Sequence, residues 1–230
     1  MTVIRKQVEA EDGKFEAYLA ATETGRGPGV VMVSSIFGID QDLTNMLDDL
    51  ANRDCVALAP NFFWRDQDSG VLALPETQRA IDRAMRNDFT KTLSDLRRGI
   101  AEVRSHPNCN GKIAVFGFCF GGPFAWRAAC DGLGIDAAVS FHGTYVSKAM
   151  RPGDQPKCPV SFHYGDKDDF APPEELETVQ KAADATGSEF VIHPGAGHAF
   201  TMPLNPHHYH AEASRKSWDR ALQMLDALRT

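Results

Sequence analysis

The sequence is short of the features that would mark several protein classes. It has no run of about 18 apolar residues, so no membrane-spanning helix is expected. The opening stretch Met1–Gln7 has no apolar core of the signal-peptide kind. Five cysteines in 230 residues, odd in number and irregularly spaced, do not form a disulfide framework. A reduced, cytoplasmic protein is the expectation. No basic cluster offsets the net charge of −7, which argues against a nucleic-acid surface and for a small-molecule partner. There is no G-x-G-x-x-G and no Gly-Lys-Ser/Thr to cradle a nucleotide phosphate. Internal repeats, low-complexity tracts and linkers are also missing.

What is present is ordinary globular material, 43% hydrophobic and 24% charged, enough for one sizeable core. Residues 3–9 and 15–21 read as two short strands around the turn Glu11–Lys14, and Gly25–Gly29 as a loop. Val30–Val33, Cys55–Ala59, Lys112–Phe116, Ile135–Phe141, Val160–Tyr164 and Phe190–His193 are apolar runs of the buried-strand type. Between them lie helical patterns over Asp40–Arg53, Pro75–Ser105 with a break near Asn87-Asp88, a helix opening at Pro172-Pro173, and His207–Leu228. This alternation predicts one α/β domain over 1–230, a mainly parallel sheet with helices on both faces. Ligands then bind at the carboxyl ends of the strands.

One motif sits at such an end. Gly117-Phe118-Cys119-Phe120-Gly121-Gly122 joins an apolar strand to a helical stretch, the setting of a G-x-Nu-x-G nucleophile elbow with cysteine as nucleophile. Gly117 and Gly121 suit a turn too tight for side chains, and the nucleophile itself is expected to be strained, its sulfur facing open space. The helix N-terminus behind it favours thiolate over thiol. The competing reading is a cysteine that merely packs. Cys55, Cys109, Cys130 and Cys158 are read as structural.

A nucleophilic cysteine needs a base, and the base an orienting acid. Asp166, Asp168 and Asp169 follow one strand, with Asp168 favoured, and His198 follows the next, giving the chain order nucleophile, acid, histidine. His207, His208 and His210 resemble a metal cluster but lack partners at zinc spacing, so a surface role and no metal are expected. His142 and His163 fall in or just after strands, as core or supporting residues. Phe62, Phe63 and Trp64 in the irregular 61–74 segment are candidates for a pocket wall or for a structural cluster.

Together these residues resemble the dienelactone hydrolase (carboxymethylenebutenolidase) family over nearly the whole chain. Ile36-Phe37-Gly38, the Asn110-Gly111-Lys112 block leading to the Cys119 elbow, the Gly165–Pro172 acid loop and Gly197-His198-Ala199-Phe200 are similar to the family's motifs. The resemblance implies an α/β-hydrolase fold and a Cys119–Asp168–His198 triad cleaving small cyclic enol esters without a cofactor. It also implies an oxyanion hole from the backbone N–H groups of Ile36 and Phe120. Two positions depart from the family: Ser35 stands where a glutamate precedes I-F-G, and Met202 where an arginine binds the substrate carboxylate. Arg79 or Arg83 is the candidate for a second such arginine. Broader carboxylesterase or thioesterase activity on the same triad, a redox-responsive thiol and a non-catalytic binding homologue are the alternatives. A monomer or small homo-oligomer is expected.

Overall fold

Val30 to Val33 are all buried, as their unbroken apolar run requires. In the computed structural model, which describes residues 3–22 and 25–229, they belong to strand β3 (Gly27–Val33). The strand thus begins inside the stretch read as a loop. Gly29 explains this: a Cβ there would lie 2.2 Å from Val103 Cγ1, so only glycine lets the backbone approach the helix this closely. Met1, Thr2 and Thr230, included in the sequence readings, lie outside the described residues.

The chain packs as two units, residues 1–113 and 114–230. In the first, β1 (Ile4–Glu9) and β2 (Lys14–Ala21) form the expected hairpin, with Val8 opposite Phe15. Helix α1 (Gln41–Asn52) precedes β4 (Val56–Pro60). The strands run in the order β1-β2-β4-β3, with β2 antiparallel and β3 parallel to β4. Asp40 caps α1 by accepting from the Leu43 N–H at 2.9 Å, and Leu43, Leu47 and Leu50 make its buried stripe. The Pro75–Ser105 region divides at its predicted break into α2 (Thr77–Arg86) and α3 (Phe89–Arg104), with Asp88 capping α3.

The second unit carries the end of β5 (Cys109–Phe118), α4 (Gly122–Cys130), β6 (Ala137–Phe141), the single turn α5 (Val146–Ala149), β7 (Val160–Lys167), α6 (Pro173–Thr186), β8 (Glu189–Gly197) and α7 (Ala211–Asp226). Here β5, β6, β7 and β8 are parallel neighbours in that order. Two differences from the sequence reading bear on the site. Strands β7 and β8 outrun Tyr164 and His193, pairing on to Lys167 opposite Gly197. Gly165 permits this, since a Cβ there would sit 2.1 Å from the Ala196 carbonyl oxygen. Helix α7 starts at Ala211, later than His207, because His210 is its cap: the His210 Nδ1 accepts from the Ala213 N–H at 3.3 Å. His207 and His208 lie in the turn before it, and among the described residues no group of three His, Cys, Asp or Glu is placed to hold a metal.

Candidate active site

The apolar β5 delivers Phe118 to a tight turn, Cys119–Gly121, that opens α4. Cys119 has φ +53°, a left-handed conformation that non-glycine residues hold only under external constraint. A Cβ on Gly117 would meet the Gly121 carbonyl oxygen at 2.1 Å, so the first glycine of the motif is sterically required. Contrary to the expectation of an open sulfur, Cys119 is only 6% exposed. The loops after β6 and β8 fold back over it.

The extended β7–β8 ladder ends at Lys167 and Gly197, so the next residues, Asp168 and His198, leave side by side. His198 Nδ1 lies 3.0 and 2.9 Å from the two carboxylate oxygens of Asp168. The Asp168 Oδ1 also accepts from the Phe170 N–H at 2.9 Å, which fixes the carboxylate. Its two rivals stand elsewhere: Asp166 is exposed and accepts from the Gly195 N–H at 2.7 Å, and Asp169 is exposed. Burial pulls the His198 pKa down, but the neighbouring Cys119 charge, then hydrogen bonds to Asp168 and to the Cys119 sulfur, raise it to about 10.

His198 is flanked by two rings. Phe170, 50% exposed, has its centroid 4.8 Å away, and buried His142 meets it edge-on at 5.1 Å. His142 bonds Thr201 Oγ1 through Nε2 at 2.8 Å, and burial, then the nearby His198 charge, hold it neutral. Met202 is nearly buried in the turn after His198, its N–H bonded to the Ala199 carbonyl at 3.0 Å. Phe120 follows Cys119 in the elbow and packs on Phe124, centroids 5.1 Å apart. Thr144 sits beside the sulfur as well, and sequence reasoning passed over it. The signal available was its place just past the carboxyl end of β6, next to the elbow strand.

The remaining sequence candidates belong to the first unit. The Ser35 hydroxyl accepts from the Phe37 N–H at 3.2 Å, closing the Ser35–Gly38 turn. Phe37 accepts from the Leu72 N–H at 3.0 Å. Arg83, offered as a substrate-carboxylate ligand, is fully buried instead. It donates to the carbonyls of Ile36, Asp68 and Gly70 and lies 4.0 Å over the Phe63 ring. Burial lowers its pKa to about 10. Arg79 is exposed and paired with Asp68 and Glu76. Phe62 is a core residue, and the Trp64 indole N–H donates to Asp95 at 2.9 Å under the Arg65 guanidinium. These are the contacts of a structural cluster.

A mainly parallel set of strands, an elbow after β5, and an acid and a histidine after β7 and β8 define an α/β-hydrolase fold. The same fold is seen in a dienelactone hydrolase-like promiscuous phosphotriesterase from metagenomic libraries, with TM-score 0.83, 23% identity and all of both chains covered. It is seen again in an alpha-beta serine hydrolase homologue from Coxiella burnetii, with TM-score 0.67, 18% identity, and 94% of this chain and 98% of that one covered. The dienelactone hydrolase family model matches residues 15–228, and the chain belongs to that family. It is 32% identical over 221 residues to a carboxymethylenebutenolidase of Pseudomonas sp. (strain P51), covering 94% of this chain and 92% of that protein. The protein is therefore a hydrolase of ester or lactone bonds.

Proposed function

We propose that Cys119, His198 and Asp168 form a catalytic triad that cleaves a small ester or lactone through a covalent acyl-enzyme. The observation that carries this is His198, hydrogen-bonded to the Asp168 carboxylate on one side and to the Cys119 sulfur on the other. The thiolate attacks the acyl carbon, forming the C–S bond as the carbonyl oxygen becomes an oxyanion. Phe120, the residue after the nucleophile at the start of α4, supplies a backbone N–H to that charge, with Ile36 as the second donor implied by the family. As the C–O bond breaks, the His198 imidazolium gives its proton to the leaving oxygen. Neutral His198 then takes a proton from water, the hydroxide displaces sulfur from the thioester, and the acid product leaves. Asp168 holds the imidazole in the required tautomer throughout.

The substrate is read as neutral and compact. Arg83 is buried against carbonyls, Arg79 is paired with acids, and the half-exposed Phe170 lies against His198. The reading extends to neutral aryl esters because no free guanidinium stands among the candidate residues. Three organisational points are part of the proposal. Residues 1–230 act as one α/β-hydrolase domain, supported by the family match across both units; the protein works as a monomer or small homo-oligomer; and its location is the reducing cytoplasm, supported by five unbridged cysteines. The test is Cys119→Ala with a panel of lactones and aryl esters. Turnover should fall by at least about 10³-fold, and a thioester adduct on the Cys119 peptide should be trapped from wild type by mass spectrometry. Residual turnover within tenfold of wild type would exclude Cys119 as nucleophile.

A further inference from the structure

The loop after β6 meets the nucleophile through a backbone contact. A Cβ on Gly122 would lie 2.7 Å from Gly143 Cα, and one on Gly143 would lie 2.5 Å from Ser140 Oγ. Two glycines therefore let the loop settle directly on the start of α4, which seats Thr144 against the elbow. The Thr144 N–H donates to the Cys119 carbonyl at 3.0 Å, and its Oγ1 lies 4.0 Å from Cys119 Sγ. His142 and Tyr145, on either side, have φ +40° and +54°. Cys119 has φ +53°, so the elbow and the loop that meets it both hold non-glycine residues in left-handed conformations, as functional sites often do.

A threonine hydroxyl both donates and accepts, whereas a thiolate has no proton to give. Beside a thiolate the hydroxyl acts as donor, and such a bond favours the charged form. A separation of 4.0 Å is the long end for a sulfur contact, so the effect is modest in size. We infer that the Thr144 hydroxyl is a hydrogen-bond donor to the Cys119 thiolate, holding the nucleophile charged and its sulfur in place before substrate arrives. This rests on Cys119 being the nucleophile. The other titratable groups around the sulfur in this unit are His198 from the loop after β8, Asp168 bonded behind it, and neutral His142 on its flank.

The experiment follows iodoacetamide alkylation of the Cys119 peptide by mass spectrometry from pH 5 to 10, a readout independent of turnover. Thr144→Val keeps the shape and the backbone N–H but removes the donor; Thr144→Ser keeps the donor. In Thr144→Val the alkylation rate at pH 6–7 should fall about three- to tenfold, the scale of one net hydrogen bond, while the high-pH plateau stays unchanged. The acid limb of kcat/KM should move up in pH by the same amount, and Thr144→Ser should follow wild type within about twofold. Superimposed Thr144→Val and wild-type profiles would overturn the inference, as would a Thr144→Ser loss equal to that of valine. Should the valine variant not fold by circular dichroism, Thr144→Ala against Thr144→Ser makes the same contrast. Esterase turnover surviving in Cys119→Ala would defeat the triad reading alone, because the alkylation profiles would still decide whether Thr144 tunes this thiol.

Discussion

Asp168 differs from its neighbours in what its oxygens touch. Both face His198 Nδ1, whereas Asp166 holds the Gly195 N–H of β8 and Asp169 faces solvent. Asp168→Asn should lower kcat by about 10²–10⁴-fold, because an amide stabilises the wrong imidazole tautomer. Asp166→Asn and Asp169→Asn should stay within about tenfold of wild type. Steady-state kinetics of the three variants checks this, and a larger loss at Asp166 would reassign the acid. At this scale the sequence was readable wherever a residue sat in a local motif, as Cys119 and His198 do. Thr144 and Arg83 were not readable, since Thr144 meets a partner 25 residues away and Arg83 partners 13 to 47 residues away, and these contacts depend on which segments become neighbours.

Among the elements, β7 and β8 do the most to assemble the site. Their sequence legibility stops at Tyr164 and His193, where apolar residues give way to Gly165-Asp166-Lys167 and Pro194-Gly195-Ala196-Gly197, which have low strand propensity. Pairing with a formed neighbour overrides that propensity, and the close approach at Gly165 makes it possible. Gly165→Ala should therefore destabilise the protein by roughly 2–4 kcal/mol, since a methyl group pressed on a backbone carbonyl has no soft neighbour to displace. Urea unfolding measures that loss. The folded fraction should also show impaired kcat, because the strand ends set the Asp168–His198 distance. Alanine accepted with unchanged midpoint and unchanged kcat would contradict the account. The early start predicted for α7 failed for a related reason: His207–Tyr209 are compatible with a helix, but the first buried residue of the stripe is Ala213.

For the whole molecule, the alternation of apolar runs and amphipathic stretches revealed an α/β fold directly, and the hairpin at the start was visible in its turn. The buried histidines carry a consequence for stability that no periodicity announces. His142, His163 and His193 are all held neutral, chiefly by burial, with His163 lowered to about 3 from an ordinary 6.5. Below about 6.5 the unfolded chain takes up protons that the folded chain refuses, so stability falls as pH falls through that window. Each unit of pH costs about 1.4 kcal/mol for every histidine kept neutral. His198 has the opposite sign: its raised pKa stabilises fully below 6.5, and that contribution is lost as pH rises through about 10. Differential scanning fluorimetry should show Tm dropping steadily from pH 6.5 towards 4. A flat Tm across that range would show that the histidines protonate without cost.

The ladder that ends at Lys167 and Gly197 also governs behaviour on heating. Because acid and base directly follow adjacent, hydrogen-bonded strands, the ends of those strands hold the two together. Catalysis and tertiary structure should fail in one cooperative event. A temperature ramp read in parallel by ester turnover and by near-ultraviolet circular dichroism should give coincident midpoints. An enzyme that falls silent well before its aromatic signal collapses would mean that the strand ends fray on their own.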